Sequence, residues 1–377
     1  MHVGLNLLFL VPGETGGMEV YARELVPELV AAAPHTRFTA FINREAAAAV
    51  GGWPWGELIP ALTVPVDARR RVEWVRGEQQ LLPPMAAAAG IDLLHSLAST
   101  APGWGRFRRV VTIHDLAYRL VPEAHLGLLG LGMRALVPLA AWRSDRIIVD
   151  AQSTREDVRR LLRVAPAKVD VVPLGIGTER RAQPLPEAEL RARLQAGERP
   201  IVLSVSAKRP HKNLARLIGA LALIEAANRP LLVLPGYPTP YEDELRRRAA
   251  ELGVADDVRF LGWVDAAELE GLYRAAACFV FPSLMEGFGL PVLEAMTRGV
   301  AVACSGRGAL EELAGDAALR FDPESEPAIA AAIERLLVDR EEAERLRAAG
   351  RARAARYSWA ATAAGTLASY ERALSSP

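Results

Sequence analysis

The sequence predicts a parallel α/β fold in two doubly wound domains. Short apolar runs alternate with amphipathic helical patterns along the whole chain, which is typical of parallel strands joined by helices. This alternation begins afresh after a polar, proline-rich stretch at residues 178–187. The chain has 377 residues, which is too long for one ordinary hydrophobic core and suits two domains.

The first half of the chain contains five predicted strands and three predicted helices. The strands cover residues 2–10, 37–41, 93–95, 110–113 and 146–149, and the helices cover 18–33, 126–144 and 154–162. The first ten residues lack the basic segment that opens a signal peptide, so we interpret them as the first strand. We place the linker near Gly177, which assigns residues 1–177 to the first domain.

The second half repeats the alternation and predicts residues 178–357 as the second domain. Its strands cover residues 201–205, 230–234, 258–260, 277–281 and 300–304, and its helices cover 213–225, 242–252, 266–275, 291–298, 328–337 and 340–357. A last helix occupies residues 358–377. Ser358 can cap this helix, and Trp359, Tyr370 and Leu374 form an apolar stripe along it.

Composition excludes several classes of protein. The 45 basic and 45 acidic residues cancel, so no global charge favours nucleic acid. The two cysteines, Cys278 and Cys304, lack the spacing of metal ligands and lie in apolar runs, which predicts buried free thiols and a reducing, cytoplasmic location. No stretch of about 18 charge-free apolar residues indicates a membrane span.

The most informative segment runs from Ser283 to Met296, between a predicted buried strand and a helix. Gly287 and Gly289 allow the backbone to turn tightly and to approach a ligand. The helix that follows presents free N–H groups and the positive end of its dipole, which suit a phosphate. Glu286 and Glu294 flank this site. Since carboxylates repel phosphate, we expect them to bind neutral hydroxyl groups, as on a sugar and a ribose.

A basic loop follows the predicted strand at residues 201–205. It contains Lys208, Arg209 and Lys212, and it precedes a helix at the edge of the sheet where doubly wound folds bind ligands. The chain has only three lysines, and two of them lie in this loop. The arrangement predicts a diphosphate clamp. The alternative is a solvated basic turn.

Three further loops follow predicted strands and carry candidate binding residues. Gly16 and Gly17 aim backbone N–H groups at the ligand-binding edge, or else form an ordinary tight turn. His114 can hydrogen-bond a sugar hydroxyl or donate a proton, although a lone histidine is more often structural. Trp263 lies in a loop that can contact a nucleobase, and it can equally be an interdomain or surface aromatic residue.

The segment from Glu286 to Glu294 resembles the E-x7-E motif of the retaining GT-B glycosyltransferases of family 4. The spacing of the two glutamates matches, and Gly287, Phe288, Gly289 and Leu290 stand between them as in that family. The resemblance implies two Rossmann-like domains facing a cleft, with the last helix crossing back to the first domain. It implies that the first domain binds the acceptor and that the second binds a nucleotide-sugar.

The resemblance also implies roles for individual residues. Lys212 contacts the leaving diphosphate, Glu286 positions the sugar and supports positive charge at the reacting carbon, and Glu294 holds the ribose hydroxyls. His114 lies close to the primary hydroxyl of the sugar, and the pair Gly16 and Gly17 touches donor phosphate or acceptor. The family often has a Gly-Arg pair where this chain has Ser206 and Ala207, so the second cation must come from Lys208 or Arg209, or be absent.

The implied activity is metal-independent transfer of a hexosyl group, with the anomeric configuration retained, to a carbohydrate or lipid-linked acceptor. The loop at residues 210–213 and His114 resemble those of mannosyl- and other hexosyltransferases of surface polysaccharides, which makes GDP-mannose the first donor to test and a UDP-hexose the next. A nucleotide-sugar epimerase, a phosphorylase and a non-catalytic partner subunit share the fold. A dinucleotide-dependent oxidoreductase is disfavoured because the glycine fingerprint is missing.

Two short arginine clusters remain, at residues 69–71 and 106–109, each near a tryptophan. They can attract an anionic acceptor or hold the enzyme at the inner membrane surface. They can also be solvated faces, and we favour that interpretation because the runs are short.

Overall fold

The computed structural model describes residues 1–121, 128–177 and 182–375, and it divides the chain into two compact units. Unit 1 contains Met1–Gly177 and Tyr357–Pro377, and unit 2 contains Thr178–Arg356. These bounds lie within one residue of those expected from the sequence. Residues 178–181 of the expected linker, and the start of the helix expected at residue 126, lie outside the described residues.

Unit 1 is built on seven parallel strands in the order β3-β2-β1-β4-β5-β6-β7. The order reverses between β1 and β4, which defines the topological switch point of this sheet. The strands are β1 (His2–Leu7), β2 (Arg37–Ile42), β3 (Ala61–Thr63), β4 (Leu93–Ser96), β5 (Arg108–Thr112), β6 (Arg146–Val149) and β7 (Val169–Val171). The helices are α1 (Gly17–Ala32), α2 (Arg44–Ala49), α3 (Arg71–Arg76), α4 (Leu82–Ala88), α5 (Ala117–Leu120), α6 (Leu128–Arg143), α7 (Gln152–Leu162) and, from the end of the chain, α16 (Trp359–Ser375).

Unit 2 repeats the design with six parallel strands, and its switch point lies between β8 and β11. The sheet order is β10-β9-β8-β11-β12-β13. The strands are β8 (Ile201–Leu203), β9 (Leu231–Leu234), β10 (Val258–Phe260), β11 (Ala276–Phe281), β12 (Ala301–Ser305) and β13 (Leu319–Phe321). The helices are α8 (Glu187–Leu194), α9 (Leu214–Leu223), α10 (Tyr241–Glu251), α11 (Ala266–Ala275), α12 (Leu290–Thr297), α13 (Gly308–Ala314), α14 (Glu326–Val338) and α15 (Arg340–Ala354).

The fold class predicted from the sequence is confirmed, and both sheets are parallel and doubly wound. The strands that the sequence did not predict are β3, β7 and β13. Each has three residues, each lies at an edge of its sheet, and each is partly open to solvent. A short edge strand has too few buried positions to produce an apolar run. The first strand ends at Leu7, three residues earlier than predicted, although Leu8 and Leu10 beyond it are also fully buried.

The last helix, α16, packs on unit 1 through a buried polar network. The Ser358 hydroxyl accepts a hydrogen bond from the amide of Ala361, as expected for a cap. The Tyr370 hydroxyl lies 2.7 Å from Nδ1 of His95, whose Nε2 lies 2.8 Å from the Thr112 hydroxyl. Burial lowers the pKa of His95 to about 3, so the ring is neutral and needs both partners. The network therefore fixes α16 against β4 and β5.

Replacing Tyr370 by phenylalanine should destabilise unit 1. The substitution leaves a buried nitrogen of His95 without its partner, which typically costs about 1–3 kcal/mol. Urea unfolding, followed by circular dichroism, measures this loss. Ser375→Ala is the matched control because that hydroxyl donates to Glu371 at the exposed end of the same helix. Equal unfolding midpoints for the two variants would refute the anchoring role.

Candidate functional site

Two loops meet at the switch point of unit 2 and are bound to each other. One follows β8 and the other follows β11, and these two strands are paired. The carbonyl of His211 accepts a hydrogen bond from the Ser283 hydroxyl at 3.1 Å. The side-chain amide of Asn213 donates to the carbonyl of Pro282 at 3.0 Å. Ligands of doubly wound sheets bind outside the carboxyl ends of the strands at such a point.

The two loops bring Lys212 and Glu286 together. Nζ of Lys212 donates to Oε1 of Glu286 at 2.6 Å, and the side chains are only 18% and 11% exposed. The ammonium also lies 5.6 Å from the centre of the Phe281 ring. The pair thus places one cation and one carboxylate side by side in a partly desolvated position. A ligand that carries both phosphate and hydroxyl groups can use both.

Gly289 caps α12 in a conformation that other residues rarely adopt. Its φ is 109°, and a Cβ there would lie 2.6 Å from the Leu310 side chain. Gly287 and Phe288 are buried beside it, and Leu290 begins the helix half-buried. The tight packing holds the loop against α13. The N-terminal end of α12 therefore lies shortly after Glu286, whose carboxylate pairs with Lys212.

Glu294, in the second turn of α12, is held by a hydroxyl from a neighbouring helix. The Tyr273 hydroxyl donates to Oε2 of Glu294 at 2.9 Å. The Arg298 guanidinium lies 4.5 Å over the Tyr273 ring and pairs with Glu270. Burial raises the pKa of Glu294. Among the described residues, Oε1 of Glu294 has no hydrogen-bond partner, so this atom can accept a hydrogen bond from a ligand hydroxyl.

Lys208 and Arg209 lie in different environments. Lys208 is fully buried, and its ammonium donates to the carbonyls of Gly236 and Leu261. Burial lowers the pKa of Lys208 to about 8. This placement does not match the prediction that Lys208 offers a cation to a diphosphate, because its donors are turned inward to backbone oxygens. Arg209 is exposed.

Trp263 lies on the surface of unit 2 and contacts another aromatic ring. Its side chain is 68% exposed, and its ring centre lies 4.9 Å from that of Tyr237, with 37° between the planes. Both residues lie in loops at the carboxyl ends of strands, after β10 and β9 respectively. The structure therefore places an aromatic pair at the ligand-binding edge of the sheet.

In unit 1, Gly16 and Gly17 form the open start of α1. Gly16 caps the helix with φ 61°, and Gly17 is its first residue. Among the described residues, no atom outside the neighbouring positions lies within 4 Å of a Cβ built at either glycine. The start of α1 therefore has open space beside both glycines, which leaves room for a ligand at this helix N-terminus.

His114, after β5, has protein partners on both ring nitrogens. Nδ1 lies 2.7 Å from a carboxylate oxygen of Asp150, and Nε2 lies 3.1 Å from the carbonyl of Leu97. Burial disfavours the charged ring, but the Asp150 carboxylate and the Leu97 carbonyl outweigh it and raise the pKa of His114. The predicted hydrogen bond to a sugar does not match this arrangement unless the Leu97 carbonyl is displaced.

Some supporting residues were not found from the sequence. Asp150 follows β6 directly, and a polar residue at the end of a buried strand is a signal that could have identified it. Tyr273 lies on an amphipathic helix, where nothing in the pattern marks its hydroxyl.

The arginine cluster at residues 69–71 is engaged in surface ion pairs. Its exposed side chains Arg69 and Arg70 pair with Glu14 and Glu73 respectively.

Within the part of the chain that the structure describes, no three His, Cys, Asp or Glu side chains are grouped so as to hold a metal ion. No helix in residues 1–121, 128–177 and 182–375 has both the length and the apolar character needed to cross a membrane. Cys278 and Cys304 are free and buried, as the sequence predicted.

Comparison with solved structures identifies the fold. Sucrose-phosphate synthase from Thermosynechococcus elongatus matches with a TM-score of 0.78 at 24% identity, over 98% of both chains. HepE from Anabaena, solved in complex with UDP-glucose, matches with a TM-score of 0.76 at 20% identity, over 98% of this chain and 100% of that one. The two Rossmann-like domains are those of the GT-B fold.

Comparison of sequences identifies the family. The model of glycosyltransferase family 4 matches residues 15–180, and the model of glycosyl transferases group 1 matches residues 187–353. O-antigen chain mannosyltransferase B from Escherichia coli is 32% identical over 70% of each chain. The GDP-mannose-dependent alpha-(1-6)-phosphatidylinositol monomannoside mannosyltransferase from Mycobacterium tuberculosis is 30% identical over 90% of each chain. The chain is therefore a glycosyltransferase and belongs to family 4, the group 1 glycosyl transferases.

Proposed function

We propose that this glycosyltransferase moves a mannosyl group from GDP-mannose to a carbohydrate or lipid-linked acceptor, with retention of the anomeric configuration. The product would belong to a cell-surface polysaccharide or glycolipid. The observation that carries the proposal is the pair of Lys212 and Glu286, 2.6 Å apart at the switch point of unit 2. A nucleotide-sugar presents a phosphate for the cation and hydroxyl groups for the carboxylate.

The choice of donor rests on two of the relatives that are at least 30% identical. Those quoted above are both named mannosyltransferases, and one is named as GDP-mannose-dependent. The structural neighbour with UDP-glucose is only 20% identical, so it informs the fold and not the base. A UDP-hexose is therefore the second donor to test.

In this proposal, residues of unit 2 have a role in each step of the reaction. The bond between the anomeric carbon and the diphosphate oxygen breaks, and Lys212 with the N-terminal end of α12 stabilises the negative charge that develops there. Glu286 hydrogen-bonds sugar hydroxyls and stabilises positive charge at the anomeric carbon. Oε1 of Glu294 accepts from a ribose hydroxyl. The acceptor oxygen attacks from the face that the diphosphate leaves, and its proton passes to the leaving phosphate oxygen.

In this proposal unit 1 binds the acceptor. The open start of α1 at Gly16 and Gly17 offers N–H groups to a phosphate or hydroxyl oxygen. His114 does not remove the acceptor proton. Its ring nitrogens face two oxygen acceptors, the Asp150 carboxylate and the Leu97 carbonyl, so neither nitrogen is placed to receive a proton. This supports the assignment of the proton to the leaving phosphate oxygen.

We propose that the reaction needs no metal ion, because Lys212 and the helix N-terminus supply the positive charge. A nucleotide-release assay with GDP-mannose, UDP-glucose, UDP-galactose and ADP-glucose, each with a mannoside acceptor, tests donor and metal together. Release of GDP should continue at an unchanged rate in excess EDTA. Loss of activity in EDTA that manganese restores would refute metal independence, and release of UDP alone would refute the donor.

A further inference from the structure

Lys208 joins three loops at the carboxyl edge of the sheet in unit 2. Its own loop follows β8, and its ammonium donates to the carbonyls of Gly236, after β9, and Leu261, after β10. Its backbone amide also donates to the carbonyl of Tyr237 at 3.1 Å. The strands β8, β9 and β10 are neighbours in the sheet. One fully buried lysine therefore connects three adjacent loops.

The loops are closely fitted to one another around this lysine. The amide of Gly236 donates to the carbonyl of Gly262 at 3.0 Å. Gly236 has φ 131°, and a Cβ on it would lie 2.1 Å from the carbonyl oxygen of Ser206. An ammonium group is compact and carries three donors, so it can serve several carbonyls at once. A buried charge without such partners would be costly, so the ammonium of Lys208 requires these carbonyls to stay where they are.

The loops that Lys208 connects carry the aromatic pair, in which Tyr237 is half-buried and Trp263 is exposed. Tyr237 directly follows Gly236, and Trp263 lies two residues after Leu261. Their ring centres lie 4.9 Å apart, and Trp263 is 68% exposed. Aromatic side chains at the ligand-binding edge of a doubly wound sheet suit a flat aromatic ring, and a nucleotide-sugar contains one such ring in its base.

We propose that Lys208 is a positioning residue that holds Tyr237 and Trp263 for the nucleobase of the donor, and that it makes no contact with the diphosphate. This inference rests on the proposed function, since it requires a nucleotide-sugar as ligand. It gives Lys208 and Lys212 different roles in binding the donor. Lys212 acts on the phosphate end of the donor, and Lys208 acts on the base end through the loops.

The test compares a nucleoside, which has the base and the ribose, with the nucleoside diphosphate, which has the diphosphate in addition. Dissociation constants for guanosine and GDP, with uridine and UDP run alongside, are measured by quenching of tryptophan fluorescence and by calorimetry. Lys208→Met should weaken the binding of the nucleoside and of the diphosphate by the same factor, roughly 10-fold if stacking is largely lost. Lys212→Met should weaken only the binding of the diphosphate. Lys168→Met, in unit 1, is the control for the substitution itself.

Repeating the Lys208→Met substitution in a Trp263→Ala variant shows whether Lys208 acts through the aromatic pair. In Trp263→Ala the nucleoside should already bind weakly, and adding Lys208→Met should then change its affinity less than twofold. Lys208→Gln keeps two N–H donors and should recover part of the affinity, and it replaces Lys208→Met if that variant does not fold.

Each contrary outcome has a distinct meaning. A loss confined to the diphosphate in Lys208→Met would overturn the proposal and make Lys208 part of the clamp. Unchanged affinity for both ligands would also overturn it. If the wild-type protein binds no nucleotide of the panel, the proposed function fails, and the role of Lys208 fails with it.

Discussion

Lys212→Met should reduce the rate of transfer by about 10³-fold or more. The ammonium is the cation that the structure places at the switch point of unit 2, only 18% exposed. One preorganised donor to a developing negative charge contributes about 10²- to 10³-fold to kcat. The substitution also leaves the Glu286 carboxylate without its counter-charge, which adds to the loss because that carboxylate is 11% exposed.

The loss should appear mainly in kcat, since the charge on the diphosphate oxygen is greatest in the transition state. Initial rates over a range of GDP-mannose concentrations separate kcat from KM. Lys168→Met provides the comparison, because that lysine belongs to unit 1 and donates to the carbonyl of Trp142. A Lys212→Met enzyme with wild-type kcat would show that the leaving group is stabilised elsewhere.

Glu286→Gln should greatly slow transfer and yet strengthen the binding of GDP. In the structure the ammonium of Lys212 is already bound by the Glu286 carboxylate at 2.6 Å. An incoming diphosphate must compete with that carboxylate and is repelled by it. Glutamine keeps the size of the side chain and removes the charge. We expect the dissociation constant of GDP to fall roughly 3- to 10-fold, which corresponds to about 1 kcal/mol.

The two effects are measured separately, by calorimetric titration of GDP and by initial rates of GDP release from GDP-mannose. Transfer should fall by about 10³-fold or more, because the positive charge at the anomeric carbon loses its carboxylate. Glu334→Gln, on the exposed face of α14, is the control and should change neither quantity. Weaker binding of GDP in Glu286→Gln would contradict the competition between carboxylate and phosphate.

The sequence predicted the fold class because both sheets are built mainly from buried strands that appear as apolar runs. It also predicted that Lys212 and Glu286 belong to one site, since each follows such a strand. Their contact could not be predicted in the same way. It requires that β8 and β11, which are far apart in the chain, become neighbours in the sheet.

Lys208 shows a different limit of sequence reasoning. Its charge and its place in a basic loop predicted a phosphate ligand, whereas the structure buries it against two carbonyls. A sequence shows which residues carry charge but not which of them the tertiary fold encloses. The partners of Glu294 and His114, namely Tyr273 and Asp150, depend likewise on contacts between separate elements.

The anomeric configuration of the product decides whether this enzyme carries out retaining transfer from GDP-mannose. The measurement is a proton NMR spectrum of the product formed by the wild-type enzyme from GDP-α-mannose and a mannoside acceptor. We expect a new α-mannosyl linkage, formed also in the presence of EDTA. A β linkage, or consumption of a UDP-hexose with no reaction of GDP-mannose, would contradict it.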